Sequence, residues 1–340
     1  KRGGDLETEN AVNKGLEWLA KHQAPDGSWS LNLFAKTAGC KCSSPGTAAS
    51  DTAATALGLL PFLGAGEIFA GSKYHSHAGK ALAWLLEDQK DNGSFRHDGS
   101  GNFYAHALAT LALCETYGMT DEGALRSAAQ QALDYIIAAQ HAQGGWRYDP
   151  GMPGDLSVTG WQVMALRSGQ IAHLSIPSKT LINADNFLDH VQCNRVGSTY
   201  GYLGADSPTP CRTAIGLLAR EYLGWKKDNP GLRLGSNVLL ADLPSPKDPD
   251  IYYWYYGTLV MHHLGGVNWH RWNEAMKAAI VPLQVQAGHE TGSWTPASEF
   301  DRVGGRLYMT ALAVCTLEVY YRYLPLYRPG GQPNGERNKR

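Results

Sequence analysis

The chain has 340 residues, of which 43% are apolar, and its formal net charge is −1 at pH 7, so it can bury a large core. The balanced charge and the lack of a long lysine or arginine block argue against a nucleic-acid partner. No apolar run approaches the roughly 18–20 residues of a membrane span. Because the sequence starts at Lys1 rather than at methionine, we expect a processed or trimmed end with any targeting element upstream.

Four segments share a glutamine, a glycine and an aromatic residue at similar spacing. They read QAPDGSW at 23–29, QKDNGSF at 89–95, QHAQGGW at 140–146 and QAGHETGSW at 286–294. The glycine suits the positive φ at which a helix turns away. The aromatic ring can then cover the last helical turn, while the glutamine amide binds free backbone groups there. We interpret each Gln–Gly–aromatic turn as a clamped helix end with a structural role.

Six strongly apolar segments alternate with more polar, amphipathic ones. The apolar segments are 51–66, 102–118, 156–170, 209–224, 251–266 and 306–321. Their composition is typical of helices buried on several sides. The pattern predicts an all-α fold, an (α/α)6 toroid of about six helix pairs, as a single domain over 1–327 with a flexible tail at 328–340. The fifth outer helix, around 231–243, is the weakest, and segment 200–204 resembles a degenerate turn with Tyr202 as its aromatic residue.

The repeated turn resembles the QW repeat of squalene and other terpenoid cyclases. The alternating helices resemble the α/α toroid that those enzymes share with the β subunits of protein prenyltransferases. The resemblance covers about residues 10–325 and is closest to bacterial single-toroid, squalene-cyclase-like proteins of unproven activity. It implies an isoprenoid or other hydrophobic ligand and, for an enzyme, a terpenoid cyclase-like isomerase or lyase, but a fold alone does not define a function.

The acid motif of the cyclases is reduced in this chain. The family carries Asp-x-Asp-Asp-Thr-Ala at the start of an inner helix, and the matching stretch here is AASDTA at 48–53. Only the last carboxylate remains, as Asp51, whereas Ser50 stands in the place of the proton donor. Asp51 is also suited to cap its own helix. Squalene-type cyclases resemble two toroids, and this chain has the length for one, so catalytic competence is in doubt.

Aromatic side chains cluster where the inner helices are predicted to begin, and they suggest a pocket at one mouth of the ring. The substrate-binding candidates are Phe103, Tyr104, Trp161, Tyr253, Tyr256 and Tyr308. The catalytic candidates are Asp51 and His106, although a histidine in an apolar helix also suits a core position with satisfied hydrogen bonds. Ring faces would stabilise carbocations in such a pocket.

The sequence predicts no metal site and no cofactor. The zinc site of the prenyltransferases is not reproduced, since Ala205 replaces an arginine, Asp206 and Cys211 are five positions apart rather than two, and Tyr253 takes the place of the histidine. The CKC segment at 40–42 lacks a second pair at a familiar spacing, so a disulfide or free thiols are expected there.

Two further hypotheses stay open beside the cyclase-like one. The chain could be a toroid that binds a protein or peptide partner without catalysis, as the exported or soluble part of a membrane-anchored protein. It could also be a carbohydrate-active barrel that uses two carboxylates several ångströms apart. The candidates for that pair are Asp51, Asp155, Asp206, Asp250, Glu299 and Asp301.

Overall fold

A computed structural model of the protein describes residues 3–95 and 103–320. The outer helices are α1 (Leu6–Lys21), α4 (His75–Asp88), α6 (Gly123–Ala138), α8 (Ser178–Val191), α10 (Pro230–Ala241) and α12 (Gly266–Ile280). The inner helices are α3 (Asp51–Gly64), α5 (Phe103–Thr120), α7 (Leu156–Ile171), α9 (Pro210–Tyr222), α11 (Ile251–Leu264) and α13 (Glu299–Leu317). A short helix α2 (Phe34–Thr37) lies in the first long loop, and a 3-10 turn (Glu318–Tyr320) follows α13. The predicted tail at 328–340 lies outside the described residues.

The inner helices form a closed ring. Each packs against its two neighbours in the order α3, α5, α7, α9, α11, α13, and α13 returns to α3. Each outer helix covers an inner one, and α1, the first helix of the chain, packs on α13, the last inner helix. Inner helices such as α5 bury residues around most of their circumference, whereas α1 buries a single face. This architecture confirms the predicted all-α (α/α)6 toroid.

The Gln–Gly–aromatic turns link each outer helix to the next one around the ring. The Gln23 side-chain amide donates to the carbonyl of Gly27 within its own turn and to that of His77 in α4. Gln89 does the same toward α6 and Gln140 toward α8. Each amide thus bridges a carbonyl of its own turn and a carbonyl of the next outer helix, so the turns fasten the outer ring.

The aromatic residue of each turn holds an outer helix against an inner one. The indole N–H of Trp146 donates to the Ile136 carbonyl in the last turn of α6, at 2.8 Å, and its backbone N–H donates to Thr159 of α7, at 3.0 Å. Trp29 and Trp294 make the equivalent pairs of bonds. These buried tryptophans therefore fix the register between the two layers.

Two of the predicted turns are placed differently in the structure. In the fourth turn the bridging amide belongs to Gln284, not to Gln286, and it donates to Ala11 of α1 and to Gly292. In the degenerate turn the buried ring is Tyr200, which packs over Gly216 of α9, while Tyr202 is only half-buried. Because the fourth turn reaches α1, it closes the outer ring between the two ends of the chain.

Two helices are more extensive or more regular than the sequence indicated. The stretch around 231–243, predicted as the weakest outer helix, forms the regular helix α10, because Asn229 caps it and Pro230 occupies its first position. Helix α13 begins at Glu299, seven residues before the predicted 306, since Ser298 and Asp301 form a capping box. A non-helical Gly305, with φ of 70°, kinks α13 near its start. Among the described residues, no helix combines the length and hydropathy that crossing a membrane requires.

Candidate functional site

The ring mouth is the end of the toroid at which the inner helices begin. Asp51 lies there, in the first turn of α3, but the residue that caps the helix is Ser50, whose hydroxyl accepts from the Ala53 amide at 3.2 Å. The expectation that Asp51 is the cap is therefore wrong. The Asp51 side chain is exposed, which is not the dry environment that a proton donor to a carbon–carbon double bond needs.

His106 is fully buried between the two helical layers. Its Nδ1 accepts from the Phe95 amide at 3.2 Å, and its Nε2 lies 3.0 Å from the Ala132 carbonyl of α6. A carbonyl oxygen can only accept, so Nε2 carries the proton and Nδ1 is the acceptor. His106 thus takes the place that Thr55, Thr159 and Thr310 occupy in the other turns. Both ring nitrogens are engaged, and the position is structural.

Two predicted pocket residues, Phe103 and Tyr253, lie between the rings and not at the mouth. The fully buried Phe103 stacks on Tyr135 of α6, with ring centroids 6.0 Å apart. The Tyr253 hydroxyl donates to the Asp242 carbonyl at 2.8 Å, and its ring meets Trp272 of α12 edge-on. Their placement is that of core aromatic residues, which corrects the expectation for both.

The other predicted aromatic residues gather at the mouth together with Tyr252. We define the mouth cluster as Tyr104 of α5, Trp161 of α7, Tyr252 and Tyr256 of α11, and Tyr308 of α13. The Trp161 indole N–H donates to the Tyr252 hydroxyl at 2.9 Å, and the Trp161 and Tyr256 rings meet edge to face at 5.7 Å. Tyr252 and Tyr256 also meet edge to face, at 5.1 Å. Helices α7 and α11 thus meet in direct ring contact, and the Tyr104 and Tyr308 hydroxyls, of α5 and α13, lie close enough to Tyr252 and to each other to influence one another electrostatically.

Tyr252 was not among the candidates selected from the sequence. It lies four positions before Tyr256 in the same helix, and residues at i and i+4 share a helix face. That spacing is the signal that could have identified it among the five consecutive aromatic residues at 252–256.

Three hydroxyls of the mouth cluster are desolvated although water still reaches their side chains. Burial raises the pKa values of Tyr104, Tyr252 and Tyr308 well above the usual range, and each hydroxyl contributes to the shift of another. All three side chains nevertheless remain partly exposed. Dense protein surroundings with residual solvent access are typical of residues that line a concave surface, so the hydroxyls stay neutral there at physiological pH.

Asp155 is the fully buried carboxyl group beside this cluster. One oxygen accepts from the Val158 amide at 2.8 Å as the cap of α7, and the other lies 3.7 Å from Nε of Arg147. Burial raises the pKa of Asp155, while the Val158 amide, the Tyr202 hydroxyl and the Arg147 guanidinium oppose that rise. Asp155 also adds to the raised pKa of Tyr104. It therefore has the environment expected for the predicted acid Asp51.

We expect the Asp155→Asn variant to be more stable than the wild type at pH 7, and this difference to vanish below about pH 4. The folded-state pKa is raised, so the unfolded wild-type chain loses its proton first as pH rises. Wild-type stability then falls until the folded pKa is passed. The gain should be about 1.4 kcal/mol for each unit of pKa shift, since asparagine also caps helices well. Urea unfolding at several pH values measures it, and a variant less stable at pH 7 would contradict this account.

The other predicted carboxylates are mostly engaged in capping. Asp250 caps α11 through the Tyr253 amide, and Asp301 accepts from the Ser298 amide at 2.9 Å. Burial raises the pKa of Asp250, and the Asp301 carboxylate adds to that rise, so these two groups lie near each other. Asp206 and Glu299 are exposed. The pair Asp250 and Asp301 is thus the candidate for two-carboxylate chemistry.

Two surface cavities lie away from the mouth. One, of about 520 Å³, is lined by α10 and by the junction of α11 and α12, and the other, of about 570 Å³, lies along α6. Neither contains a residue of the mouth cluster. The mouth cluster is the candidate ligand site on another ground, namely its partly exposed tyrosines with neutral hydroxyls.

A separate cluster contains donors that suit a metal ion. His22, Cys40, Cys42 and His289 each place one nitrogen or sulfur atom within 4.8 Å of the others. The two cysteines are free thiols, one of the two expected states. Burial and the neighbouring Cys40 thiol raise the pKa of Cys42 to about 12. This cluster was not predicted from the sequence, because His289 lies far from the CKC segment and His22 forms no familiar metal-binding spacing with it.

Comparison with known proteins gives a limited sequence match. No protein-family model matches the chain. The squalene–hopene cyclase of Bradyrhizobium diazoefficiens is 24% identical over 192 residues, which cover 49% of this chain and 27% of that enzyme. The matched part is thus about a quarter of that relative's length.

Solved structures resemble the chain over nearly its whole length. A type II terpene cyclase from Scytonema, in complex with geranylgeranyl dihydroxybenzoate, has a TM-score of 0.62 at 15% identity and covers 92% of this chain and 96% of its own. An inactive variant of an α-1,6-mannanase from a Salegentibacter species, in complex with α-1,6-mannotriose, has a TM-score of 0.65 at 8% identity, with coverages of 92% and 98%.

These similarities establish a squalene/terpenoid cyclase-like α/α toroid fold. At such identities the structural likeness concerns the fold alone. The length of one toroid is also found in a solved terpene cyclase, because the match covers 92% of this chain and 96% of the Scytonema enzyme.

Proposed function

We propose that the ring mouth binds an isoprenoid or another hydrophobic ligand, as in a terpenoid cyclase-like protein. The main support is the mouth cluster, in which the ring contacts among Trp161, Tyr252 and Tyr256 adjoin the neutral hydroxyls of Tyr104 and Tyr308. Apolar surface with a few convergent polar groups is the usual composition of a small-molecule site. The solved Scytonema cyclase that binds a geranylgeranyl compound supports this ligand class.

Asp155 is the acid in this proposal, in place of Asp51. Burial favours its protonated form, which is the form that can deliver a proton to a carbon–carbon double bond. The resulting carboxylate would be stabilised by the Val158 amide and by Arg147. The rings of Tyr104 and Tyr308, which remain partly exposed, would supply the negative potential that stabilises a carbocation.

A thermal-shift measurement on the purified chain tests the binding. Squalene and farnesyl and geranylgeranyl diphosphates are the probes, and a ligand at 100 times its Kd adds about 2.7 kcal/mol of stability, or a few degrees in Tm. We expect the shift to disappear in Trp161→Ala, with each variant compared with its own unliganded Tm. The control Trp84→Ala, on the outer helix α4, should keep it. A shift that survives Trp161→Ala would reject the proposed site.

Catalysis is tested separately with Asp155→Asn. The variant should still bind an isoprenoid that the wild type binds, but should form no cyclised product by gas chromatography and mass spectrometry. If the wild type binds an isoprenoid but forms no product, the protein is a toroid that binds its ligand without catalysis. No binding of any isoprenoid would favour the protein or peptide partner instead.

A carbohydrate-active barrel is the second candidate. The neighbouring carboxyl groups of Asp250 and Asp301 favour it, as does the mannanase with the same fold. Both carboxyl groups already accept backbone hydrogen bonds as part of helix caps, which weakens the case. A thermal shift with α-1,6-linked mannose oligomers that disappears in Asp250→Asn would establish it over the isoprenoid proposal.

A further inference from the structure

We propose that His22, Cys40, Cys42 and His289 bind a structural Zn²⁺ ion, which holds the first and the last repeat of the ring together. Neither the mouth cluster nor its ligand is involved. The four residues come from the end of α1, from the loop that precedes α3, and from the fourth Gln–Gly–aromatic turn. The site thus joins the first and the last repeat of the ring.

The donor atoms are already close to the arrangement of a tetrahedral site. The Cys42 sulfur lies 3.2 Å from Nε2 of His22 and 3.2 Å from Nδ1 of His289. One donor atom from each of the four residues lies within 4.8 Å of the others. Ligands around tetrahedral zinc are about 3.3–3.8 Å apart, given bonds of about 2.0–2.3 Å. Small side-chain movements would bring all four into contact with one ion.

His22 is oriented for ligation by a backbone contact. Its Nδ1 lies 2.6 Å from the Trp18 carbonyl, which can only accept, so Nδ1 carries the proton and Nε2 presents its lone pair to Cys42. A ligating histidine commonly donates its other N–H to a carbonyl in this manner. The His22 ring also stacks on Trp18, with centroids 4.0 Å apart, which fixes its plane.

The donor set points to zinc and to a structural role. Two sulfurs and two imidazole nitrogens in a tetrahedron are typical of zinc, whereas calcium and magnesium prefer oxygen ligands. Four protein ligands leave no open position for a catalytic water. Cys40 and Cys42 come from the same short segment, while His22 and His289 bring in two distant parts of the chain.

The contacts around the cluster already link the first and the last repeat of the ring. Glu290, next to His289, accepts from the Ser43 amide at 2.5 Å and pairs with Arg306 of α13 at 2.9 Å. Arg306 in turn donates to the Ser43 carbonyl and to the Ser293 hydroxyl. The segment after Cys42 and the fourth turn are therefore held together beside the cluster, so an ion there would tie the same two segments.

Metal analysis of the full chain, purified under reducing conditions, tests the proposal. We expect one zinc per chain, a fall in Tm after removal by a strong chelator, and recovery on adding Zn²⁺ alone. Co²⁺ should give the visible absorption of a tetrahedral site and a near-ultraviolet band from thiolate ligation. The bands should be lost in Cys42→Ser and kept in the control Cys193→Ser.

A variant at an exposed ligand separates the loss of metal binding from the loss of the fold. His289 is exposed, so His289→Gln should fold as the wild type does and weaken metal binding by about 100-fold or more. A reduced wild-type chain that binds neither Zn²⁺ nor Co²⁺, or a zinc content unchanged in both Cys42→Ser and His289→Gln, would overturn the proposal. A Cys40–Cys42 disulfide that persists in the chain purified under reducing conditions would also overturn it.

Discussion

We expect the Trp294→Ala variant to lose about 3–5 kcal/mol of unfolding free energy, the range for removing a buried tryptophan from a core. The side chain is 2% exposed. Its indole donates to the Ile280 carbonyl of α12 at 2.8 Å, and its backbone N–H donates to Thr310 of α13. It also packs against Gly15 of α1. The substitution therefore opens a cavity where the last repeat meets the first.

Urea unfolding followed by circular dichroism measures this loss. Trp84→Ala is the matched control, because Trp84 is half-buried on the outer helix α4 and belongs to no Gln–Gly–aromatic turn. Its loss should be less than half that of Trp294→Ala. Equal losses would mean that the turn adds nothing beyond the burial of an aromatic ring.

The Gly144→Ala variant should be destabilised by about 2–4 kcal/mol, because two effects combine. Gly144 has φ of 93°, where residues with a side chain are strained. A Cβ there would also overlap the Asn183 carbonyl oxygen of α8. That oxygen belongs to helix backbone and cannot move aside easily. The glycine is thus required by the close approach of the third turn to the next outer helix.

Gly151→Ala separates these two effects. Gly151 has a similar positive φ, of 77°, but a Cβ there would meet no heavy atom within 4 Å. Its cost should be limited to backbone strain, about 1–2 kcal/mol. The excess in Gly144→Ala measures the clash with α8. If both variants lose the same amount, the close contact between turn and helix does not matter for stability.

The fold was predictable because its signals are local. Helices that are apolar on all sides, and a turn that repeats glutamine, glycine and an aromatic ring, are visible in short windows of sequence. The wrong predictions concern residues whose placement is determined by contact with a distant segment of the chain. The pair Gln284 and Gln286 offers two equivalent amides, and only the Ala11 carbonyl of α1 selects the first. Tyr200 is selected over Tyr202 by the space above Gly216.

The site was less predictable because it depends on the rotation of each helix about its axis. Adjacent residues point about 100° apart, so Phe103 and Tyr104 separate into the core and the mouth. Tyr252 and Tyr253 separate in the same way. Asp155 was only one of six candidate carboxylates, because its burial depends on the neighbouring loop. The metal cluster joins His22 to His289, and no local pattern relates positions so far apart.

Photoaffinity labelling can locate a bound isoprenoid and so test whether the ring mouth is the ligand site. A geranylgeranyl-length analogue with a diazirine group would be photolysed with the protein, and the labelled peptides identified by mass spectrometry. We expect labels on peptides containing Tyr104, Trp161, Tyr252 or Tyr308, and we expect unlabelled geranylgeranyl diphosphate to suppress them. Labels confined to the outer helices, or labels that the competitor does not reduce, would contradict it.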